Sequence, residues 1–161
     1  MTNDKILTAT VVDSWKLVIK RFDKTLGNFT DEQLQQQVAP CKNRVFYLLG
    51  HLTAIHDRML PMLGLGERLH PELDDAYFAY SDRVLGDPLS ATELRRTWTE
   101  VNDKLTAAFE LLNPQDWLEK HSAVSDADFA ENHKRNRLSV VVNRSSHVSY
   151  HLGQIILAKG A

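Results

Sequence analysis

Seven histidines occur in the chain, and two of them, His147 and His151, stand four positions apart in a segment of helical period. Residues at that spacing lie one above the other on a helix, with about 5–6 Å between Cβ atoms, so both imidazoles can reach one ion. Val140, Asn143, Arg144, Tyr150, Gln154 and Ala158 fall in the same sector of the helical wheel, which borders the apolar stripe. Such pairs also arise as solvated polar faces or as satisfied core groups, so the pair alone does not decide its role. It lacks the glutamate of the zinc-peptidase motif, because Val148, Ser149 and Tyr150 fill the gap. No general base comes from within the pair, and that peptidase chemistry is excluded.

A third histidine strengthens the metal reading. His51 sits in Leu48-Leu49-Gly50-His51-Leu52, an apolar setting where an unpartnered imidazole is costly. Its face carries Arg44, Tyr47, Leu48, Ile55 and Arg58, whereas His56 lies on another face beside Asp57 and Arg58 and is expected to be exposed. A satisfied core histidine is the alternative for His51. Gly50 precedes it and Gly153 follows His151 by two positions. Glycine inside a helix costs ~1 kcal/mol relative to alanine, and close approach of two helix backbones is one reason to carry that cost. Three neutral imidazoles leave a coordination position open, as catalytic centres do. Affinity should then fall as pH drops through about 6.5, where imidazole protonates.

Other features fail as sites. Glu67-Arg-Leu-His70 has the spacing of a di-iron motif but is ringed by Gly64, Gly66 and Pro71, and no second such motif exists. Cys41 is the lone cysteine, expected to be inert. Neither a glycine-rich phosphate loop nor a Gly-x-Ser-x-Gly elbow is present.

Four helices must position the histidines. Leu7, Val11, Trp15, Val18, Phe22 and Leu26 recur at helical spacing, with Gly27 and Asn28 expected to stop the helix in the left-handed conformation. Thr30 to Gln33 has the form of a capping box opening a short turn. A second helix is expected from about Asn43 to Met62, weakened by Pro61 and ended by Gly64. The third follows the capping box Ser90 to Glu93, with Leu94, Trp98, Val101, Leu105, Ala108 and Leu112 inward, and ends at Asn113-Pro114 before a turn containing Trp117. The fourth spans about Leu138 to Lys159, with Val141, Ser145, Val148, Leu152 and Ile155 inward. The sequence is thus all-α, a four-helix bundle with long connections, forming one domain over residues 1–161. The connections Gly64 to Ser90 and Leu118 to Arg137 are long enough to hold short helices or to cover a site.

Composition limits the partners. With 43% hydrophobic and 25% charged residues the chain is an ordinary globular sequence, and its net charge of -2 argues against nucleic-acid binding. Lys134, Arg135, Arg137 and Arg144 are expected to form a solvated loop and helix start. One cysteine allows no internal disulfide, the first residues do not resemble a signal peptide, and no apolar run approaches the ~20 residues that span a bilayer. A cytoplasmic protein without membrane contact is expected.

The run from Val38 through Arg44 to Leu49-Gly50-His51-Leu52, followed by Met62-Leu63-Gly64, and the later Ser146-His147-Val-Ser-Tyr150-His151-Leu152-Gly153-Gln154-Ile155 resemble the DinB/YfiT-like superfamily of metalloenzymes. The helix order agrees over nearly the whole chain, and the two motif regions cover about a third of it. That resemblance implies a four-helix bundle, often a homodimer, holding zinc or nickel through His51, His147 and His151. It also implies, for some members, S-transfer or isomerisation with a low-molecular-weight thiol as co-substrate. Tyr150 stands where a second histidine often precedes the ligand, and Leu152 where a basic residue is frequent, which leaves the small-molecule substrate unassigned. The expected function is a divalent-metal-dependent enzyme, specifically a thiol-dependent S-transferase. A non-enzymatic metal- or small-ligand-binding bundle is the competing class. Tyr150, Gln154, Asn143 and Arg58 lie near the ligand faces and are expected to line the pocket or support the ligands.

Overall fold

The computed structural model describes residues 2–158. Its helices are α1 (Asn3–Leu26), α2 (Val45–Asp57), α3 (Met59–Met62), α4 (Ala91–Leu111), α5 (Asp126–Glu131) and α6 (Arg137–Ala158). The expected last residue of the fourth helix, Lys159, lies outside the described residues. Among the described residues there is no strand, only two isolated bridges, Gln37 with Arg44 and Lys120 with Asn136. Of the four long helices, α1 packs on α6 and α4, and α2 packs on α4 and α6.

The apolar faces read from the sequence form the interior. Trp15, Val18, Phe22 and Leu26 of α1 are buried, although Leu7 is 64% exposed. Leu94, Trp98, Val101 and Leu105 of α4 join them, as do Val141, Val148, Leu152 and Ile155 of α6. Each such side chain contributes roughly 1.5–3 kcal/mol when fully withdrawn from water. Ser90 and Glu93 exchange hydrogen bonds in a complete capping box at the start of α4, and Thr30 and Gln33 do the same before a short 3-10 turn.

Three local expectations change. Gly27 ends α1 with φ -61 and is not left-handed; the Asn28 side-chain amide donates to the Lys24 carbonyl at 2.9 Å instead, satisfying a helix-end acceptor. The second helix is not continuous to Met62 but breaks at Arg58 into α2 and α3. Pro61 has no N–H for the Asp57 carbonyl four residues back and its ring crowds that group, so the interruption appears upstream of the proline. Gly64, with φ 67, is the left-handed terminator expected there.

Burial of α2 is the third change, and it reaches His56. Every residue of α2 except His51 is buried, so the expectation that His56 is exposed is wrong: it and Asp57 are both 0% exposed. His56 lies between Trp15 and Trp98, with ring centroids 4.9 and 5.1 Å away, and its Nδ1 donates to Asn102 Oδ1 at 2.8 Å. α2 is enclosed by the other long helices, so its polar residues meet partners inside the fold.

The Gly64 to Ser90 connection is fastened along α2 from end to end. Buried Asp57 accepts from Leu69 N at 2.7 Å, His70 N at 3.1 Å and Arg68 Nε at 2.9 Å. At the other end Arg44 grips Asp82 and Asp87, and Tyr47 donates its hydroxyl to the Tyr80 carbonyl at 2.8 Å. Between these anchors a single π-type turn, Asp75–Ala79, presses buried Tyr77 onto α2.

Candidate metal centre

Glycine at position 50 makes that contact possible. A Cβ there would lie 2.4 Å from Cδ1 of the Tyr77 ring, a separation that real side chains do not tolerate. Gly50 therefore admits a loop side chain and not a second helix. Gly153 plays no such part: it is exposed, and a Cβ there would meet nothing within 4 Å. The expectation that both glycines let α2 and α6 approach closely is overturned.

With Tyr77 seated, its carbonyl lies 2.9 Å from His51 Nδ1. A carbonyl can only accept, so His51 carries its proton on Nδ1 and presents a bare Nε2 lone pair. His151 is oriented alike: Nδ1 donates to Gln154 Oε1 at 2.7 Å, again leaving Nε2 free. Both rings thus show the outer hydrogen bond that fixes the tautomer of metal-binding histidines. His147 presents Nε2 3.0 Å from His151 Nε2, while its buried Nδ1 has no partner.

Potential ligand nitrogens of His51, His147 and His151 all lie within 4.8 Å of one another. A tetrahedral site with metal–nitrogen bonds of about 2.0–2.1 Å separates its nitrogens by about 3.3 Å, close to the 3.0 Å between His147 and His151 Nε2 and inside the 4.8 Å that bounds all three. Ring centroids stand 5.3 Å apart for His51 and His147, 5.4 Å for His51 and His151, and 4.6 Å for His147 and His151. The donor set fits a borderline divalent ion, for which imidazole is a suitable ligand.

The protonation states of the three rings suit such an ion. Burial, together with the charges of His151, His51 and Arg144, pushes His147 down to about 4. Burial likewise lowers His51 and His151, against the bonds to Tyr77 and Gln154 that raise them. All three rings are neutral at pH 7, the state in which imidazole ligates. Proton competition for these nitrogens accordingly begins below the ordinary value near 6.5.

The four expected surrounding residues are placed unequally. Gln154 bonds His151, and Tyr150, 63% exposed, has its ring centroid 5.1 Å from that of His151 and accepts from Gln154 Nε2 at 3.3 Å. Arg58 pairs with Asp74 at 2.7 Å and stacks over Phe78 at 4.2 Å. Asn143 is exposed and lines a shallow groove with Leu138, Ser139, Val142 and Ser146, outside the histidine cluster. Sequence reasoning missed Tyr77, which acts through its carbonyl, and treated Arg144 as solvated although it is half-buried. The unexplained cost of glycine at position 50 was the available signal for Tyr77.

No curated protein matches the chain. Residues 14–155, a span that includes all three histidines and the connection that orients His51, match the family model described as DinB superfamily, and the chain belongs to that superfamily.

Proposed function

We propose that the protein is a four-helix bundle holding about one divalent ion, zinc or nickel, through Nε2 of His51, His147 and His151, and that it works as a metal-dependent enzyme on a small molecule. Within that reading, a low-molecular-weight thiol serves as co-substrate for S-transfer, and the working form is a cytoplasmic homodimer. The observation that carries the proposal is the convergence of one nitrogen from each of the three imidazoles within 4.8 Å. The bonds from His51 and His151 to Tyr77 and Gln154 support it, since they turn the free nitrogens inward.

Bound there, such an ion supplies Lewis acidity that keeps a thiol ionised near neutral pH. The chain's own contribution is orientation. Tyr77 holds the proton of His51 on Nδ1, and Gln154 holds that of His151 likewise. Three protein ligands leave one position for an incoming molecule. Gln154, itself bonded to Tyr150, braces the outer edge of His151 so that Nε2 faces the ion.

Elemental analysis of untagged protein tests the metal, comparing wild type with the His147→Ala, His151→Ala double variant. Wild type should carry about one equivalent and the variant far less; equal metal in both removes the centre. Turnover of a thiol-dependent substrate panel that requires added metal supports the enzymatic reading. Tight metal binding without turnover across that panel makes the chain a metal-binding bundle instead.

A further inference from the structure

Six arginines are at least partly buried: Arg44, Arg58, Arg68, Arg95, Arg137 and Arg144. Five have carboxylate partners, in Asp82 and Asp87, Asp74, Asp57 and Asp74, Asp31, and Glu119 respectively. Among the described residues Arg144 has none, and its Nε is shut from solvent without a hydrogen-bond partner. A half-buried guanidinium left in this state is costly, and costs of this kind collect at functional sites.

Arg144 sits on the ligand face of α6, three residues before His147 and seven before His151, hence one and two turns along the same side. Its charge acts on both His51 and His147. No acidic side chain is among the groups acting on His51, His147 or His151, and Arg58 nearby is committed to Asp74. Three neutral imidazoles cannot offset a divalent ion, so the loaded centre and Arg144 together would form a positive region, and among the described residues no carboxylate pairs with Arg144.

We propose that Arg144 receives an oxyanion, such as a carboxylate, on the small molecule whose other end meets the open face of the three-histidine centre. A planar guanidinium matches a carboxylate in two parallel hydrogen bonds, and the ligand would supply the charge that the protein withholds. The inference rests on the metal reading above and adds the class of molecule that the site selects.

Calorimetric titration of the zinc-loaded full chain tests it. The probes are mercaptoacetate, 3-mercaptopropionate and 4-mercaptobutyrate, each beside its uncharged amide. The best-fitting carboxylate should bind wild type about tenfold tighter or more than its amide, the range of a charge-assisted pair. In Arg144→Gln the preference should vanish while zinc content and amide affinity stay as in wild type; Arg144→Lys should keep part of it. A preference that survives Arg144→Gln means the carboxylate chelates the metal, and overturns the proposal. So does equal binding, or no binding, of carboxylate and amide by zinc-loaded wild type. Failure of wild type to take up zinc overturns the centre itself and this inference with it, a separate result. Thermal unfolding of the ligand-free chain gives a second measure: Arg144→Met should raise the midpoint by relieving an unpaired charge. A lowered midpoint would assign Arg144 a structural role and refute the inference.

Discussion

Replacing Gly50 by alanine should loosen metal binding as well as the fold. The new Cβ would stand 2.4, 2.5 and 2.6 Å from three atoms of the Tyr77 ring, where ordinary contact begins at 3.4 Å. The ring must therefore withdraw by about 1 Å, the difference between 2.4 and 3.4 Å. It is 1% exposed, with the Phe46 and Tyr47 rings at centroid distances of 6.3 and 6.1 Å, so little free space receives it. Overpacking of this kind costs roughly 1–3 kcal/mol. Alanine in place of glycine returns about 1 kcal/mol of helix propensity, leaving a net loss of roughly 0–2 kcal/mol. For a domain of this size that lowers the unfolding midpoint by a few degrees. The Tyr77 carbonyl moves with its residue, however, and with it the acceptor that orients His51. Loss of such outer support typically costs about 10–100-fold in metal affinity.

A double-mutant cycle separates this mechanism from general damage. In a Tyr77→Ala background the ring is gone, so Gly50→Ala should be neutral or stabilising by up to about 1 kcal/mol. Denaturant titrations give the stability terms, and zinc competition against a chromogenic chelator gives the affinities. If Gly50→Ala costs the same in both backgrounds, or if its zinc affinity equals that of wild type, the link from glycine through Tyr77 to His51 is wrong.

Gly153 supplies the contrast: a Cβ at that position would meet nothing within 4 Å, so Gly153→Ala should stabilise by up to about 1 kcal/mol and leave zinc affinity unchanged, and a destabilised variant would expose an unseen contact. His56 makes stability depend on pH. Burial lowers it to about 3 from 6.5, so the unfolded chain binds the extra proton across that window. Its contribution is complete above pH 6.5 and is lost as pH falls toward 3, by at most about 1.4 kcal/mol per pH unit. His56→Met should flatten that slope by up to one proton in denaturation curves taken between pH 6 and 4, and an unchanged slope would contradict the burial. Gln154→Ala should keep wild-type helicity by circular dichroism yet speed zinc exchange, because His151 loses its 2.7 Å partner; Tyr150→Phe should do so less, its contact being the longer one to Gln154 at 3.3 Å. Wild-type exchange in both would place the surroundings of the metal elsewhere.

Much of this was legible in the chain because helical signals are local. Ser90 and Glu93 announce α4 by a capping box that needs only four residues, and the stripe from Trp15 to Leu26 announces the buried face of α1. His147 and His151 were equally legible, since a spacing of four on one helix fixes their proximity. α2 was harder. A polar residue is assigned to solvent on a wheel only if the helix has a solvent side, and α2 has almost none. His56 was misplaced for that reason: it is satisfied by Asn102 of α4, as the neighbouring Asp57 is by backbone amides of the Gly64 to Ser90 connection. Tyr77 was invisible for a different reason. It lies 26 residues from His51 in a segment without periodicity and contributes a main-chain carbonyl that any residue carries. Arg144 was misjudged because its neighbours in the basic run, Lys134 and Arg135, are indeed exposed, whereas its own position shares the ligand face.

The three proposed ligands consequently differ in what maintains them. His147, His151 and Gln154 are arranged within α6 alone, by spacings of four and three that persist wherever that helix forms. His51 reaches them only when α2 is docked against α6 and when Tyr77 is pinned between the Asp57 and Arg44 anchors. Under the proposed metal reading, two histidines on one helix would make a weak site and the third a strong one, so the ion's affinity would report the docking of α2. By linkage the reverse must hold: an ion that binds only the docked state stabilises it by RT ln(1 + [L]/Kd), about 4 kcal/mol at a thousandfold excess over Kd. The connection over α2 would in this sense be part of the proposed metal centre, although it contributes no ligand.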